Sequence, residues 1–592
     1  MTVDSLGQQS ANAALAHLDS CDLERDSFQG PFGVLKVVAS EENSRDESQP
    51  DWTELSQMDF GILWDSLDAT GSGLYGLTGG SEDALQADPL LDVDIQNLLP
   101  GSLSLTPNPS LPLSESKHIP PLAPDLLRYF KENVVSLSFP LKNRRKCPWQ
   151  TIHLPSVMST FAELSIDQTA SHTRLSLFYS LLAASCLHMY SRNQSAVEVN
   201  TSGKKFKEIA KQHLEFALNE EVLGSKQAKY KEILMAVLSM VMLSVWFPGR
   251  DSHSMPLMRK IQVFHGEDSN AQAFLVDAEY LIRIRGLLKP HKSVKVRSLH
   301  HVYTYLRIMA ESTCGCALLD ICPDRPSSSL LTIGDSSPIS LRSFRVARDS
   351  LDAEINMALE KSNKIGHNDI HLEVMGHWKD TLFPDIYGIP ESLMTLLSQV
   401  IRLANEQELL HRGPTVDMRV AGELKRRAST LEQYILSWEP PPSSSPSSLT
   451  VNHSAIEDGQ AAAAAAPPLY FMMRAMHQAL ILFYYRRVPN ISALILQDTV
   501  RKCLDFLVRS DASHDTTILW PGFVAACEAL DPDLQHGLLD WLVATGHRTS
   551  LGSFSAAAGT AQCVWKGREK TKDYTLSWFD VMRHEKCPII VT

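Results

Sequence analysis

From about Pro120 to the C-terminus, apolar residues recur every three or four positions and almost nowhere alternate. That pattern confines this part of the chain to helices packed on helices, because a half-buried strand repeats every second residue. Helices are predicted over 125–136 (begun by Pro124), 174–190 and 204–219, the last with Phe206, Ile209, Ala210, His213 and Ala217 on one face. The run 233–247 is apolar over fifteen residues apart from Ser239 and Ser244. A membrane-crossing helix needs roughly 20 residues, so this run is predicted to be a buried helix. Two helices follow over 271–285, carrying a Glu279–Arg283 pair and stopping at Gly286, and over 293–313. On the latter, Leu299, Val302, Tyr303, Leu306, Met309 and Ala310 are expected to be buried, while His300, Thr304, Arg307 and Glu311 form the other face. Further helices are expected over 343–361, 390–408, 416–436, 470–487, 491–509, 521–529, 534–544 and 576–585. The fold class is all-α.

Charge divides the chain. Of its 592 residues, 55 are Lys or Arg and 68 are Asp or Glu, a net charge of −13. Residues 1–117 hold four basic and twenty acidic side chains, so everything beyond them is nearly neutral. From 46 to 116 there is no Lys or Arg against thirteen acids. Such a segment cannot bury enough apolar surface to offset its ordering entropy, so 1–118 is expected to be a mostly disordered acidic leader. It would be repelled by nucleic-acid phosphates and by anionic membranes. Within it, 51–68 sets Trp52, Leu55, Met58, Phe60, Leu63, Trp64 and Leu67 among five acids. The acids keep large apolar groups solvated until a partner gathers Phe60, Leu63, Trp64 and Leu67 onto one helical face. A transcriptional activation segment has this composition; a helix docked on the protein's own body has it too. The helical body divides into 119–438 and 469–592, separated by a Pro/Ser/Ala-rich linker over 439–468 with the six alanines 461–466.

Sites of chemistry are not found. Gly71, Gly73 and Gly76 have dinucleotide-fingerprint spacing, but no strand precedes them and their acidic setting repels phosphate. Cys314, Cys316 and Cys322 lack the paired spacing of structural zinc, and His300 and His301 point about 100° apart on a helix. Both histidines are expected at the surface and the cysteines in packing roles. No diphosphate-binding acid motif, phosphate-loop lysine or nucleophile elbow occurs, so no catalytic residue, metal ligand or cofactor is predicted and the chain is expected not to be an enzyme. The ten cysteines are scattered, which suits cytosol or nucleus. No secretory signal opens the sequence, and no membrane partner is expected. Arg144, Arg145 and Lys146 form a candidate nuclear import patch, or a solvated surface patch. Lys425, Arg426 and Arg427 are expected to face solvent from a helix.

Several segments carry a resemblance. They are Cys147-Pro-Trp-Gln-Thr-Ile-His-Leu-Pro155, the helices around Phe274–Leu287 and Leu299–Ser312, Asp385-Ile-Tyr-Gly-Ile-Pro-Glu391, Leu482-Phe-Tyr-Tyr-Arg-Arg487 and Leu519-Trp-Pro-Gly-Phe523. In this order they resemble the regulatory domain of fungal-specific transcription factors, in the subgroup of arginine-metabolism regulators, over about four-fifths of the chain. The resemblance implies an all-α regulatory domain, a nuclear location, and contact with transcription machinery or coactivators, with a DNA-binding partner or a second copy. It also implies an N-terminal binuclear zinc cluster, yet the first 146 residues contain only Cys21. Direct DNA contact is therefore in doubt: either promoters are reached through a partner, or the cluster lies in coding sequence upstream. The expected function is regulation of a metabolic or biosynthetic gene set. A rival reading is a non-activating metabolite-binding or scaffold protein that modulates full-length relatives.

Overall fold

The computed structural model describes residues 27–30, 33–36, 119–138, 147–167, 169–222, 227–247, 268–287, 292–314, 356–367, 372, 374–412, 417–441, 468–511 and 518–585. The chain divides into two units, Met1–Ala69 and Thr70–Thr592. In the first, β1 (Ser27–Gly30) and β2 (Gly33–Lys36) pair antiparallel with Phe28 opposite Leu35. Four-residue strands are too short to leave a clear alternating pattern in the sequence, and the rest of the leader, including 51–68, lies outside the described residues.

The second unit is helical. Its first helix, α1 (Ala123–Tyr129), has Pro124 in its opening turn, where the missing N–H costs nothing. A π-helical turn over Trp149–His153 leads into α2 (Leu154–Asp167). Ser171 caps α3 (His172–Arg192) by accepting from the Arg174 amide, and α4 (Val197–Glu220) packs back along α3. At the centre is α5 (Tyr230–Trp246), buried without interruption from Ile233 onward. A helix apolar on every side must be covered on every side, and α3, α4, α6 (Asp268–Leu281) and α7 (Val294–Cys314) do so. Among the described residues no helix is long and apolar enough to cross a membrane.

Two short helices, α8 (Asn363–Gly366) and α9 (Phe383–Tyr387), precede α10 (Glu391–Arg412) and α11 (Met418–Leu436). The helix expected over 343–361 does not reach its predicted end. Residues 356–361 form a turn and a bridge in which Glu360 pairs with His377. The remaining helices are α12 (Pro468–Arg487), α13 (Gln497–Asp511), α14 (Leu519–Glu528), α15 (Pro532–Thr549), α16 (Gly552–Thr571) and α17 (Trp578–Glu585). Neither α2 nor α16 stands out in the sequence. In α16 the buried residues include Ala556, Ala557, Ala558 and Ala561, too small to mark a stripe but small enough for close approach to α14.

The segments on either side of 442–467 pack together. Helix α10 meets α12, α5 touches α16, His188 Nε2 lies 3.2 Å from the Thr549 carbonyl, and Trp520 Nε1 donates to Ser312 Oγ at 2.9 Å.

Candidate functional site

A run of buried polar residues lies along α7. The face expected to be solvated is buried: His300 and His301, Thr304, Arg307 and Glu311 are all 4 % exposed or less. The reason is that α7 carries apolar residues on more than one side. Tyr305 and Ile308 lie off the Leu299–Leu306 stripe and are buried as well, so polar residues between the two stripes are enclosed with them.

Several of these enclosed groups are met by partners from elsewhere in the fold, as burial favours. His300 Nε2 lies 2.7 Å from the Tyr230 hydroxyl of α5, and desolvation raises that phenol. Gly286 makes the contact possible, since a Cβ there would stand 2.3 Å from Tyr230 Oη. His301 faces elsewhere. Its Nε2 accepts the Leu382 amide at 3.1 Å, so its Nδ1 carries the proton donated to the Arg297 carboxamide oxygen of the backbone at 2.8 Å. The adjacent histidines thus tie α7 to α5 and to the approach to α9. Both are structural, and both are interior rather than at the surface.

The charged cluster lies farther along α7. Glu279 of α6 is 1 % exposed and pairs with Arg283 at 2.8 Å and with Arg307 at 3.3 Å. The Tyr303 hydroxyl donates at 3.0 Å to Glu279 Oε2, the oxygen that Arg307 also approaches, while Arg283 meets Oε1. Burial, and the neighbouring Glu279 carboxylate, hold the Tyr303 phenol well above its ordinary range. Arg307 Nη2 also reaches Glu311 Oε1 at 3.2 Å. Arg402 of α10, 2 % exposed, adds a second positive charge acting on Glu311. Desolvation dominates at Glu311 and pushes its carboxyl up to about 7, against the pull of Arg307 and Arg402.

A second buried network closes the C-terminal helices. Glu528 of α14 lies 2.9 Å from Arg486 Nε and 2.7 Å from Arg568 Nη2, and all three side chains are 2 % exposed or less. Arg568 also donates to the carbonyls of Cys527 at 2.7 Å and Leu576 at 2.9 Å. Arg486 donates to the carbonyl of Thr575 at 2.6 Å. This clamp joins α12, α14 and α16 to the turn before α17.

Arg427 is a further correction. Lys425 and Arg426 are exposed, but Arg427 is buried and donates to Gln399 Oε1 at 2.7 Å. It sits one helical step away from its neighbours, on the side of α11 turned toward α10. The candidate activation residues Trp52, Leu55, Phe60, Leu63, Trp64 and Leu67 lie outside the described residues, as do the candidate import residues Arg144, Arg145 and Lys146. Cys316 and Cys322 lie outside them too. Among the described residues no group of three or more His, Cys, Asp or Glu is arranged to hold a metal ion. What the interior arrangement provides is helix registry: each network brings together side chains from three helices.

Comparison with known proteins agrees with the segments quoted from the sequence. The profile of the fungal specific transcription factor domain matches residues 125–591. Arginine metabolism regulation protein II of Saccharomyces cerevisiae is 22 % identical over 513 residues, covering 78 % of this chain and 54 % of the relative. The chain therefore spans about half the length of the curated relative it matches. No solved structure matches the chain.

Proposed function

Because the chain belongs to the fungal specific transcription factor domain family, we propose that it is a transcriptional regulator of a metabolic or biosynthetic gene set and works by recruiting partners rather than by catalysis. The observation that carries this reading is the family match over 125–591, which takes in every helix from α2 onward. The similarity to a protein named for regulation of arginine metabolism supports a metabolic gene set. The helical unit is the regulatory body. The acidic segment 51–68 contacts transcription machinery or coactivators through Trp52, Leu55, Phe60, Leu63, Trp64 and Leu67. The protein works in the nucleus, with Arg144, Arg145 and Lys146 as the import patch. Residues 1–146 contain a single cysteine, Cys21, so this stretch of chain is proposed to meet promoters through a DNA-binding partner or a second copy.

The test is a fusion of residues 46–116 to a heterologous DNA-binding domain. Reporter activation that is lost when Trp52, Phe60 and Trp64 are changed to Ala is the expected result. A silent fusion, or one indifferent to those changes, leaves the rival reading of a non-activating modulator. Tagged full-length chain with Arg144, Arg145 and Lys146 changed to Ala is expected to leave the nucleus; unchanged nuclear signal would remove the import assignment.

A further inference from the structure

The two carboxylates of the α7 cluster are served unequally. Glu279 receives Arg283, Arg307 and the Tyr303 hydroxyl. Glu311 receives one edge of the same Arg307 through Oε1, at 3.2 Å, and its Oε2 is enclosed without a hydrogen-bond partner among the described residues. An ionised carboxylate accepts at both oxygens, and one enclosed with half its acceptors unserved is costly. A neutral carboxyl removes most of that cost by losing its charge.

The surroundings of Glu311 can be stated helix by helix. Its own helix contributes Arg307, α6 contributes Glu279, and α10 contributes Arg402. Arg283 and Tyr303 are engaged with Glu279. Helix α14 reaches α7 next to Glu311, through the bond from Trp520 to Ser312. Its own titratable side chains, Cys527 and Glu528, lie at its far end, and Glu528 belongs to the arginine clamp. The repulsion from Glu279 and the attraction of the two arginines therefore act on a group whose burial is the largest influence.

We propose that Glu311 makes the junction of α6, α7 and α10 proton-sensitive: it is a neutral acid in the closed packing, and its ionisation loosens the C-terminal half of α7 from its neighbours. The proton passes to solvent, and the freed carboxylate gains water as the packing opens. The sign follows from linkage. A group whose carboxyl is raised from its ordinary value near 4.5 to about 7 in the closed packing stabilises it fully below the ordinary value and loses that contribution as pH rises through about 7. The device is independent of which genes the protein regulates.

Hydrogen exchange of the full chain, corrected for the intrinsic rate at each pH, reads the opening directly at α7 and α10. Protection there is expected to fall about tenfold between about pH 6 and about pH 8, one proton's worth across that interval. E311Q, which stays neutral, is expected to show no such fall. E279Q, which removes the well-served carboxylate and its repulsion on Glu311, is expected to lower protection at both pH values and to move the pH-dependent fall to lower pH without abolishing it. Infrared spectra provide a second readout: a protonated-carboxyl stretch present in the wild type at about pH 6, absent at about pH 8, and absent throughout in E311Q. The same pH-dependent fall in E311Q as in the wild type, or no protonated carboxyl in the wild type at the lower pH, overturns the proposal.

Discussion

The arginine clamp of α12, α14 and α16 and the α7 cluster are both buried ion networks, yet they are built to opposite plans. In the clamp a single carboxylate, Glu528, lies between two guanidiniums, and each guanidinium also spends donors on backbone carbonyls. In the α7 cluster two carboxylates share Arg307, and one of them is incompletely served. Desolvation of charge is costly in both, and it is offset only where geometry and hydrogen bonding are complete. Both arginines of the clamp meet Glu528 Oε2 and leave its Oε1 enclosed without a hydrogen-bond partner among the described residues, but their bonds to backbone carbonyls fix the approach of four helical segments. In the α7 cluster Glu311 Oε2 is likewise unserved, and the one arginine that pairs with Glu311, Arg307, is shared with Glu279, so the proposed proton sensitivity falls there.

Changes to the clamp should have the largest effect. Glu528→Ala leaves Arg486 and Arg568 enclosed without their shared anion, and is expected to cost about 3–5 kcal/mol. Chemical denaturation followed by the fluorescence of Trp520 and Trp578, both buried nearby, measures it. A loss below about 1 kcal/mol would show that backbone carbonyls alone hold the two arginines.

Gly522→Ala comes next. A Cβ there would meet Trp541 at 2.3 Å, where α14 lies against α15, and overpacking of this kind costs about 1–3 kcal/mol. The same denaturation experiment checks it, and Trp541→Leu in the same chain should recover part of the loss by freeing the space.

Acid titration sharpens the contrast from the other side. Burial lowers His153, His188 and His213 to about 4, from an ordinary value of 6.5. Each therefore stabilises the fold fully above its ordinary value and loses that contribution as pH falls from 6.5 toward about 4. The histidines and Glu311 act with opposite sign over overlapping intervals, so Glu311 is expected to flatten the rise in stability that the three histidines give between about pH 4 and 6.5. A His188→Gln chain should lose part of the acid limb while keeping the opposing trend that Glu311 imposes as pH rises toward about 7. His188 is the informative position, since its Nε2 meets the Thr549 carbonyl across 361 residues of sequence.

The smallest effect belongs to the surface. Arg509 and Asp505 pair at 3.1 Å on α13 with about half of each side chain exposed. Arg509→Gln should leave the denaturation midpoint within error, because solvent screening takes most of the attraction. A loss comparable to that of a buried pair would erase the distinction between interior and surface ion pairs.

The sequence by itself determined the all-helical class, the buried character of α5 and the concentration of negative charge before residue 118. Those properties follow from periodicity and composition, which are local. Segments such as 147–155 and 519–523 sufficed for the family resemblance, because each is a short packing motif whose order along the chain is informative. Tertiary structure alone decided which polar residues are enclosed. His300, Arg307, Glu311 and Arg427 carry side chains that ordinarily face water, and one helix's pattern shows only which side its apolar majority prefers. Whether the opposite side is also covered depends on α6, α10 and α14, which are distant in sequence. The clamp likewise joins Arg486, Glu528 and Arg568 from three helices. No local spacing announces that arrangement, since the charge balance that permits it exists only once the helices have met.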